Sequence, residues 1–303
     1  MAAILILISA TLYGISPILA KIAYGYGVTP LVLLTWRVTV SAGLLWTIIA
    51  AFRPRVRLGA PMFGTLILLG ATFVPIQVYS YFFALSLLPA STASVIVNTA
   101  PVHVAWMERL ALGEGLGRGD LVILGVIVGG AMLVAGATPQ AGHPLGLVAL
   151  GTTTLASAFY LVVQRRVVRD APPLVMLAII QLSSAAVYWT GMVLTGQSLS
   201  PLPAPALAVI VGSALTASTA SFLVLLALRT LAATQTAMLG MLEPVVTVTL
   251  SVALLADTMT WVRLVGIATV LGGIAVFYWR LRESVGAAVG ASPGSGDGNS
   301  GAL

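Results

Sequence analysis

The sequence contains no cysteine and very little charge. The absence of cysteine excludes disulfides, thiolate nucleophiles and cysteine-ligated zinc. Charged residues make up only 7% of the 303 residues, against roughly 25% in an average soluble domain. Hydrophobic residues reach 59%, and the mean hydropathy is +1.08. So few charges cannot coat a globule of this size, so lipid must be the solvent for much of the surface.

Motifs of the common enzyme classes are also missing. No Walker A sequence occurs, so ATP hydrolysis within the chain is not expected. The H-E-x-x-H and G-x-S-x-G patterns of zinc and serine hydrolases are absent as well. His103 has no His or Cys partner suited to a metal. The sequence therefore predicts a protein that is not an enzyme and has no cofactor or metal site.

What the sequence does contain is an internal duplication. Pro30-Leu31-Val32 recurs as Pro173-Leu174-Val175, a displacement of 143 residues (173 − 30). The same offset relates further pairs: Pro101 with Pro244, and Gly129-Gly130 with Gly272-Gly273. Each copy holds five long apolar segments, and because five is odd, the second copy is inverted in the membrane. Inverted repeats are typical of secondary transporters, which bind substrate between the halves near the bilayer midplane.

Ten segments approach the length of about 20 apolar residues that spans a membrane. They cover residues 2–22, 30–51, 61–84, 90–111, 119–137, 146–164, 173–195, 206–228, 233–254 and 260–280. We predict an all-α integral membrane protein with ten transmembrane helices, built as two inverted five-helix repeats over residues 1–143 and 144–283. Residues 284–303, rich in Gly, Ser and Ala, are predicted to form a disordered cytoplasmic tail.

The basic residues predict the orientation. Eleven fall in alternate connections or just after the last segment: Arg53, Arg55, Arg57, Arg109, Arg118, Arg165, Arg166, Arg169, Arg229, Arg280 and Arg282. The other side has only Lys21 and Arg263, with Arg37 inside the second segment. Because loops rich in Lys and Arg stay cytoplasmic, both termini are predicted inside the inner (plasma) membrane. With no basic stripe or aromatic platform, no nucleic-acid partner is expected.

The order of several short motifs resembles a known transporter family. In the first half these are Ala84-Leu85, Ala90-Ser91-Thr92-Ala93, Pro101, Gly113-Glu114 and Gly129-Gly130. In the second half they are Ala227-Leu228, Leu242-Glu243-Pro244, Asp257 and Gly272-Gly273. Over about residues 4–280, the pattern resembles EamA-type members of the drug/metabolite transporter superfamily. Two departures are Tyr13, where Trp is common, and Asp257, where Glu is usual.

The resemblance implies a ten-helix carrier of small organic metabolites, often an exporter of amino acids or related compounds. It also implies a cavity lined by helices 1, 3, 4, 6, 8 and 9. The partners expected are a small-molecule substrate, membrane lipids and, for energy coupling, protons. A monomer and a homodimer both remain open.

Polar residues in the same six segments mark candidate positions, since polar side chains in hydrocarbon face the protein interior or a water-filled path. The predicted substrate-binding residues are Tyr13, Ser16, Gln77, Tyr81, Asn98, His103, Tyr160, Gln164, Thr219 and Glu243. The alternative is that small hydroxyls here bond their own backbone or pack helices together. Close packing is also predicted for the fifth segment, in which Gly125 and Gly129 are four residues apart.

Glu243 is the most distinctive of these residues. A charge in mid-membrane costs about 2.5–3.5 kcal/mol on insertion scales, so a carboxyl here needs a reason. One is function, as a protonatable coupling site or an anchor for a substrate amine. The other is structural, as a carboxyl bonded to backbone freed by Pro244. For Arg37, both snorkelling to the headgroups and contact with substrate remain open.

Pro101 and Pro244 occupy equivalent positions in the two repeats. Proline removes a backbone donor and frees a carbonyl within a helix, so we predict paired kinks beside the cavity, acting as hinges or as static bends. The sequence thus favours a secondary transporter that exports small organic metabolites such as amino acids by alternating access. The alternatives are an exporter of drugs or cationic compounds, a channel or receptor, and an integral membrane enzyme.

Overall fold

The computed structural model describes residues 1–53, 58–88, 96–113, 116–135, 143–197, 202–255 and 258–290, apart from the side chains of residues 85, 86, 255 and 284–290. Every regular element in these ranges is helical. The first repeat contains α1 (Ala2–Gly25), α2 (Pro30–Phe52), α3 (Ala60–Leu68, the π-helical turn Leu69–Phe73 and Val74–Leu87), α4 (Ala100–Leu112) and α5 (Arg118–Ala135). The second contains α6 (Pro144–Val167), α7 (Pro173–Leu194), α8 (Ala204–Leu228), α9 (Ala233–Gly240 and Leu242–Leu255) and α10 (Trp261–Gly290).

These helices follow the predicted segments closely. Nine helices within the described ranges are long and apolar enough to cross a membrane. The start of the fourth predicted segment lies outside the described residues, as do the motif residues Glu114 and Asp257. One boundary needs correction, because α10 continues to Gly290, past residue 284, where the disordered tail was predicted to begin. The remainder of that tail, residues 291–303, is outside the described part of the chain.

Proline and glycine set several helix limits. Pro30 opens α2, where Thr29 Oγ1 accepts a hydrogen bond of 3.4 Å from the backbone N–H of Val32. Proline suits a first helical turn because its missing N–H has no intrahelical partner there anyway. At the other end of α4, Gly113 adopts a left-handed conformation with φ 70°, which glycine reaches without steric cost.

The two repeats pack into each other rather than side by side. Helix α1 of the first repeat lies against α8 and α9, and α6 of the second lies against α3 and α4. Helices α2 and α7 contact each other, as do α5 and α10. Equivalent helices of the two repeats differ by five in number. The contacts of α1 with α8 and α9 therefore correspond to those of α6 with α3 and α4, and the pairs α2–α7 and α5–α10 each join two equivalent helices. This symmetry is expected for inverted repeats. The helices that bring the repeats together at the centre are therefore α1, α3, α4, α6, α8 and α9.

The α5–α10 contact depends on glycines, although not on the pair predicted. A Cβ added to Gly266 would lie 2.5 Å from the backbone N of Val134 and 2.8 Å from the carbonyl oxygen of Gly130. By contrast, Cβ atoms at Gly125 and Gly129 would meet no atom of the described residues within 4 Å. The prediction that Gly125 and Gly129 form the close contact is wrong for the fold of a single chain.

One end of the bundle carries most of the arginines, and we call it the basic end. Arg229, after α8, donates a 3.3 Å hydrogen bond to the carbonyl of Ala171, before α7. Arg280 of α10 lies 3.7 Å from the carboxylate of Asp120 at the start of α5. The first contact joins the connections α6–α7 and α8–α9, and the second joins the start of α5 with the end of α10; the alternation of basic loops predicts that all of these lie on one side.

Candidate functional site

Tyr13, near the middle of α1, lies at the centre of the contacts between the repeats. Its hydroxyl is 2.6 Å from Ser221 Oγ of α8. Four residues earlier, Ser9 donates a 2.9 Å hydrogen bond to the carbonyl of Ala220 on the same helix. Ser9 and Tyr13 lie on one face of α1, since residues four apart are neighbours on a helix surface. This face therefore fixes the rotation of α1 against α8.

The next residue, Gly14, lets α9 approach α1 closely. A Cβ at Gly14 would fall 2.7 Å from Val246 Cβ and 3.0 Å from the carbonyl oxygen of Glu243. Thr247 Oγ1 donates a 3.0 Å hydrogen bond to the carbonyl of Gly14. Only a glycine fits this approach without moving α9, and the contact holds Glu243 beside Tyr13.

Glu243 lies in the first turn of the second piece of α9, directly after an interruption at Met241. Its side chain is half-buried, and its backbone carbonyl packs at Gly14, the residue after Tyr13. Within the described residues, no donor bonds to its carboxylate. The predicted structural alternative, a carboxyl bonded to backbone freed by Pro244, is therefore not seen among these residues.

Arg37 of α2 supplies the opposite charge. Its guanidinium donates a 3.3 Å hydrogen bond to Ser16 Oγ of α1. Tyr24 and Tyr188 pack in the same hydrophobic cluster as Leu34 and Val38, which lie before and after Arg37 in α2. Arg37 is half-buried, and its hydrogen bond to Ser16 directs the guanidinium toward α1.

We call this assembly the central cluster. It consists of Tyr13, Ser16, Tyr24, Arg37, Tyr81, Tyr160, Tyr188, Ser221 and Glu243. Tyr160 of α6 packs in the same hydrophobic cluster as Phe222 of α8, the residue after Ser221. Phe82 adds an apolar wall, with its ring centroid 6.3 Å from that of Tyr24 and 5.4 Å from that of Tyr81.

Five of the predicted site residues thus come together: Tyr13, Ser16, Tyr81, Tyr160 and Glu243. The structure places Thr219 elsewhere, on an exposed stripe of α8 with Leu207, Val211 and Leu215. Three apolar neighbours on that stripe indicate a lipid-facing surface, whereas Ser221 points to Tyr13. The prediction of Thr219 as a cavity residue is not supported by this placement.

The other predicted residues have separate environments. His103 Nδ1 lies 3.1 Å from the carbonyl of Thr99, in the turn that precedes its own helix. Gln164 is buried one helical turn beyond Tyr160, toward the basic end. Gln77 is half-buried on α3, and Asn98 is buried in the turn before α4. Among the described residues, no hydrogen bond joins Gln77, His103 or Gln164 to the central cluster.

Pro101 and Pro244 both follow breaks in their helices. The chain forms a turn at Asn98 and Thr99 before α4 resumes at Ala100, and α9 breaks at Met241. Each proline then occupies the start of the next helical piece, where its missing donor is tolerated. The repeats therefore carry equivalent interruptions, of which the one in α9 directly precedes Glu243, and their use as hinges stays a prediction.

Glu108 of α4 is an interhelical contact that the sequence reading missed. Its carboxylate is 2% exposed and accepts hydrogen bonds from the backbone N–H groups of Ala233 and Thr234, at 2.6 and 2.8 Å. It also accepts one of 2.7 Å from Thr234 Oγ1. An intramembrane carboxylate is a default site candidate, but this one is satisfied by the N-terminus of α9, where negative charge is favourable.

The family comparisons agree with this geometry. The model of the EamA-like transporter family matches residues 1–136 and again residues 144–279. No curated protein matches the chain significantly. Among solved structures, 29 chains match. One crystal structure has a TM-score of 0.79 and 18% identity over 91% of this chain and 96% of its own, which supports the fold alone.

Proposed function

Since the chain belongs to the EamA-like transporter family, we propose that it exports small organic metabolites such as amino acids across the plasma membrane by alternating access. Membership makes it a multi-pass membrane transporter of the drug/metabolite transporter superfamily, with small-molecule substrates and lipid contacts. The substrate class, the direction and the energy source are the parts that we propose.

The observation that carries the proposal is the central cluster itself. It joins a carboxylate, a guanidinium and several tyrosines from both repeats, in an otherwise apolar bundle. Tyr13 and Glu243 lie near the middle of their membrane spans, the depth at which secondary transporters bind substrate. Polar groups are expensive in hydrocarbon and are typically retained there for function.

The interrupted helices support alternating access as the mode of transport. Discontinuous helices at the repeat interface are a recurrent feature of secondary transporters. Here α4 and α9 break at equivalent positions of the two repeats, and the break in α9 directly precedes Glu243. We propose that the helical pieces on either side of Pro101 and Pro244 tilt to expose the cluster to one side of the membrane at a time.

The positive-inside rule supports the proposed orientation. It assigns the basic end to the cytoplasm, with both termini there and α1 entering from that side. Glu243 is proposed to carry either the coupling proton or the ammonium group of the substrate. Both roles need a carboxylate that no protein group already binds. Among the described residues, no hydrogen-bond donor or cation binds the carboxylate of Glu243.

The proposal is tested by profiling metabolites in the growth medium of cells that overexpress the chain, against cells with an empty vector. One or a few small organic compounds should accumulate, and Glu243→Gln should lower that accumulation by roughly tenfold or more, as expected for loss of a charge-assisted contact. The matched control is Asp120→Asn, which removes a carboxylate outside the central cluster and should behave as wild type. Membranes that contain the protein but release no compound would contradict export.

A second candidate function is the export of cationic compounds. The uncommitted carboxylate of Glu243, with tyrosine rings beside it, is chemistry that also suits an organic cation. Cells expressing the chain would then resist lipophilic cations, and Glu243→Gln would remove that resistance. Resistance without any accumulation of metabolites would favour this candidate over amino-acid export.

A further inference from the structure

We propose that Arg37, together with Ser16, Tyr24 and Tyr188, binds a carboxylate of the transported molecule, and that the substrates are zwitterions whose ammonium group interacts with Glu243. This inference rests on the proposed function and adds to it the residues that bind the substrate carboxylate. Its basis is the number of hydrogen-bond donors around Arg37 that have no acceptor among the described residues.

The guanidinium of Arg37 is poorly satisfied by the protein. Arginine offers five N–H donors in a planar fork, whereas the described residues supply one acceptor, Ser16 Oγ at 3.3 Å. Tyr24 and Tyr188 pack in the same cluster as its neighbours on α2, Leu34 and Val38. No carboxylate among the described residues forms an ion pair with Arg37. A charge held away from water without a counter-ion is costly, so a ligand that supplies the counter-ion binds favourably.

Two tyrosine hydroxyls in this region also lack hydrogen-bond partners. The hydroxyl oxygens of Tyr24 and Tyr188 are buried and have no partner among the described residues. Tyr188 is only 3% exposed. Buried polar atoms in native proteins nearly always have a partner. A carboxylate can accept two bonds from the arginine fork and further bonds from tyrosine hydroxyls, so an anionic ligand group has the chemistry that these donors lack.

The position of Arg37 argues against a purely interfacial role. It lies seven residues after Pro30, or about 10 Å along the helix at 1.5 Å per residue. Lys21, on the neighbouring helix α1, is exposed in the manner expected of a side chain that reaches the headgroups. The two cations therefore differ in environment, and only Arg37 faces the central cluster.

Glu243 defines the other half of the substrate. Arg37 bonds to Ser16 of α1, and Glu243 packs at Gly14, two positions earlier on the same helix; within the described residues no salt bridge of 4 Å or less joins them. Two opposite charges at neighbouring positions along α1, each without an ionic partner in the described residues, fit a molecule that carries both a carboxylate and an ammonium group. Tyr81 and Phe82 offer an apolar wall for the remainder of an α-amino acid.

The test uses the full chain, purified and reconstituted in proteoliposomes. The probes are L-leucine and L-phenylalanine, each compared with the amine that lacks its carboxylate, isoamylamine or phenethylamine. Wild type should take up the amino acids in preference to the amines. Arg37→Gln should lower amino-acid uptake by roughly tenfold or more, in line with loss of a charged hydrogen bond, and should leave amine uptake within about twofold.

Matched variants separate binding from folding. Tyr188→Phe keeps the ring and removes only the hydroxyl, so a smaller loss confined to the amino acids is expected even if Arg37→Gln does not fold. Lys21→Gln removes an exposed cation outside the central cluster and should change neither probe.

Three results would count against the inference. Equal loss of both probes in correctly folded Arg37→Gln and Tyr188→Phe protein would assign these residues a structural role. If neither Arg37→Gln nor Tyr188→Phe changes the uptake of amino acids or amines, these residues do not bind a carboxylate. That result would leave the proposed transport intact. Wild-type vesicles that transport none of the probes, nor any metabolite found in the growth medium, would overturn the proposed function as well.

Discussion

The two repeats share a scaffold but not a chemistry. In the first repeat, Ser41 of α2 donates a hydrogen bond of 3.4 Å to the carbonyl of Ala214 on α8. In the second, its equivalent Ser184 (41 + 143) donates one of 2.7 Å to the carbonyl of Gly70 on α3. The interruptions before Pro101 and Pro244 also correspond. Packing and bending are therefore duplicated features.

The central cluster shows the opposite. Each charged or aromatic member has an apolar residue at the equivalent position of the other repeat. The pairs are Tyr13 with Ala156, Tyr24 with Val167, Arg37 with Ile180, Tyr81 with Val224, Tyr188 with Leu45, Tyr160 with Pro17, and Glu243 with Ala100. The comparison teaches that residues common to both copies maintain the fold, whereas the site consists of residues in which the copies differ.

The largest effect on the shared scaffold is expected at the α5–α10 contact. Gly266→Leu places a side chain where even a Cβ would lie 2.5 Å from the backbone of Val134, so the helices must separate. Overpacking typically costs about 1–3 kcal/mol and occasionally more, and backbone cannot move aside as a side chain can. Size-exclusion chromatography in detergent should show loss of the folded peak. Gly272→Leu, with no neighbour within 4 Å among the described residues, should remain folded; equal behaviour of the two variants would contradict the packing described.

A smaller effect is expected at Glu108, a residue that only the first repeat has, since its equivalent is Ser251. Glu108→Ala leaves two buried N–H groups at the start of α9 without an acceptor, which costs about 1–3 kcal/mol. The melting temperature in detergent should fall, and Glu108→Gln should recover part of the loss by keeping one acceptor. Glu283→Ala, an exposed carboxylate on α10, is the control. A Glu108→Ala protein as stable as wild type would show that the bond network contributes little.

The smallest effect is expected at the paired serines, and it measures how equal the repeats are. Interhelical hydrogen bonds in membranes average about 0.6 kcal/mol. Ser184→Ala should cost about this much. Ser41→Ala should cost slightly more, because Ser41 Oγ also lies 2.7 Å from Ser218 Oγ. Equilibrium unfolding in mixed detergent micelles would measure both. A large cost in one repeat alone would contradict the shared scaffold.

The sequence was sufficient for the architecture because the signal is long and redundant. Ten apolar segments, one constant offset and alternating basic loops all point to the same ten-helix arrangement. The equivalent interruptions near Pro101 and Pro244 were also predictable, since proline has a fixed effect on backbone bonding.

The helix faces were harder to predict. Helix α8 carries Ser213, Thr216, Ser218, Thr219 and Ser221, so small polar residues occur around its whole circumference. Thr219 and Ser221 are two residues apart and point in nearly opposite directions, and the sequence alone did not choose between them. In the same way, Gly129 and Gly130 are adjacent, and only Gly130 packs against α10.

The environments of Arg37 and Glu108 were undecided for another reason. The sequence left both snorkelling and substrate contact open for Arg37, because a single charge in a mostly apolar helix does not reveal which way it points. Glu108 was missed because two of its three partners are backbone N–H groups, at residues 233 and 234. A contact with backbone leaves no pattern in the sequence at its other end. The separation of 125 residues also hides it from local motifs.

The first helix of each repeat packs against helices of the other repeat, and this has a consequence for biosynthesis. Ser9 of α1 finds its acceptor on Ala220, 211 residues later. At a synthesis rate of about 5–20 residues per second, α1 waits roughly 10–40 s in the bilayer before α8 exists. During that time its polar face, with Ser9 and Tyr13, has none of its final partners on α8 or α9. The first five helices are thus an incomplete assembly, and the nascent chain must be kept from premature association until its second half is inserted.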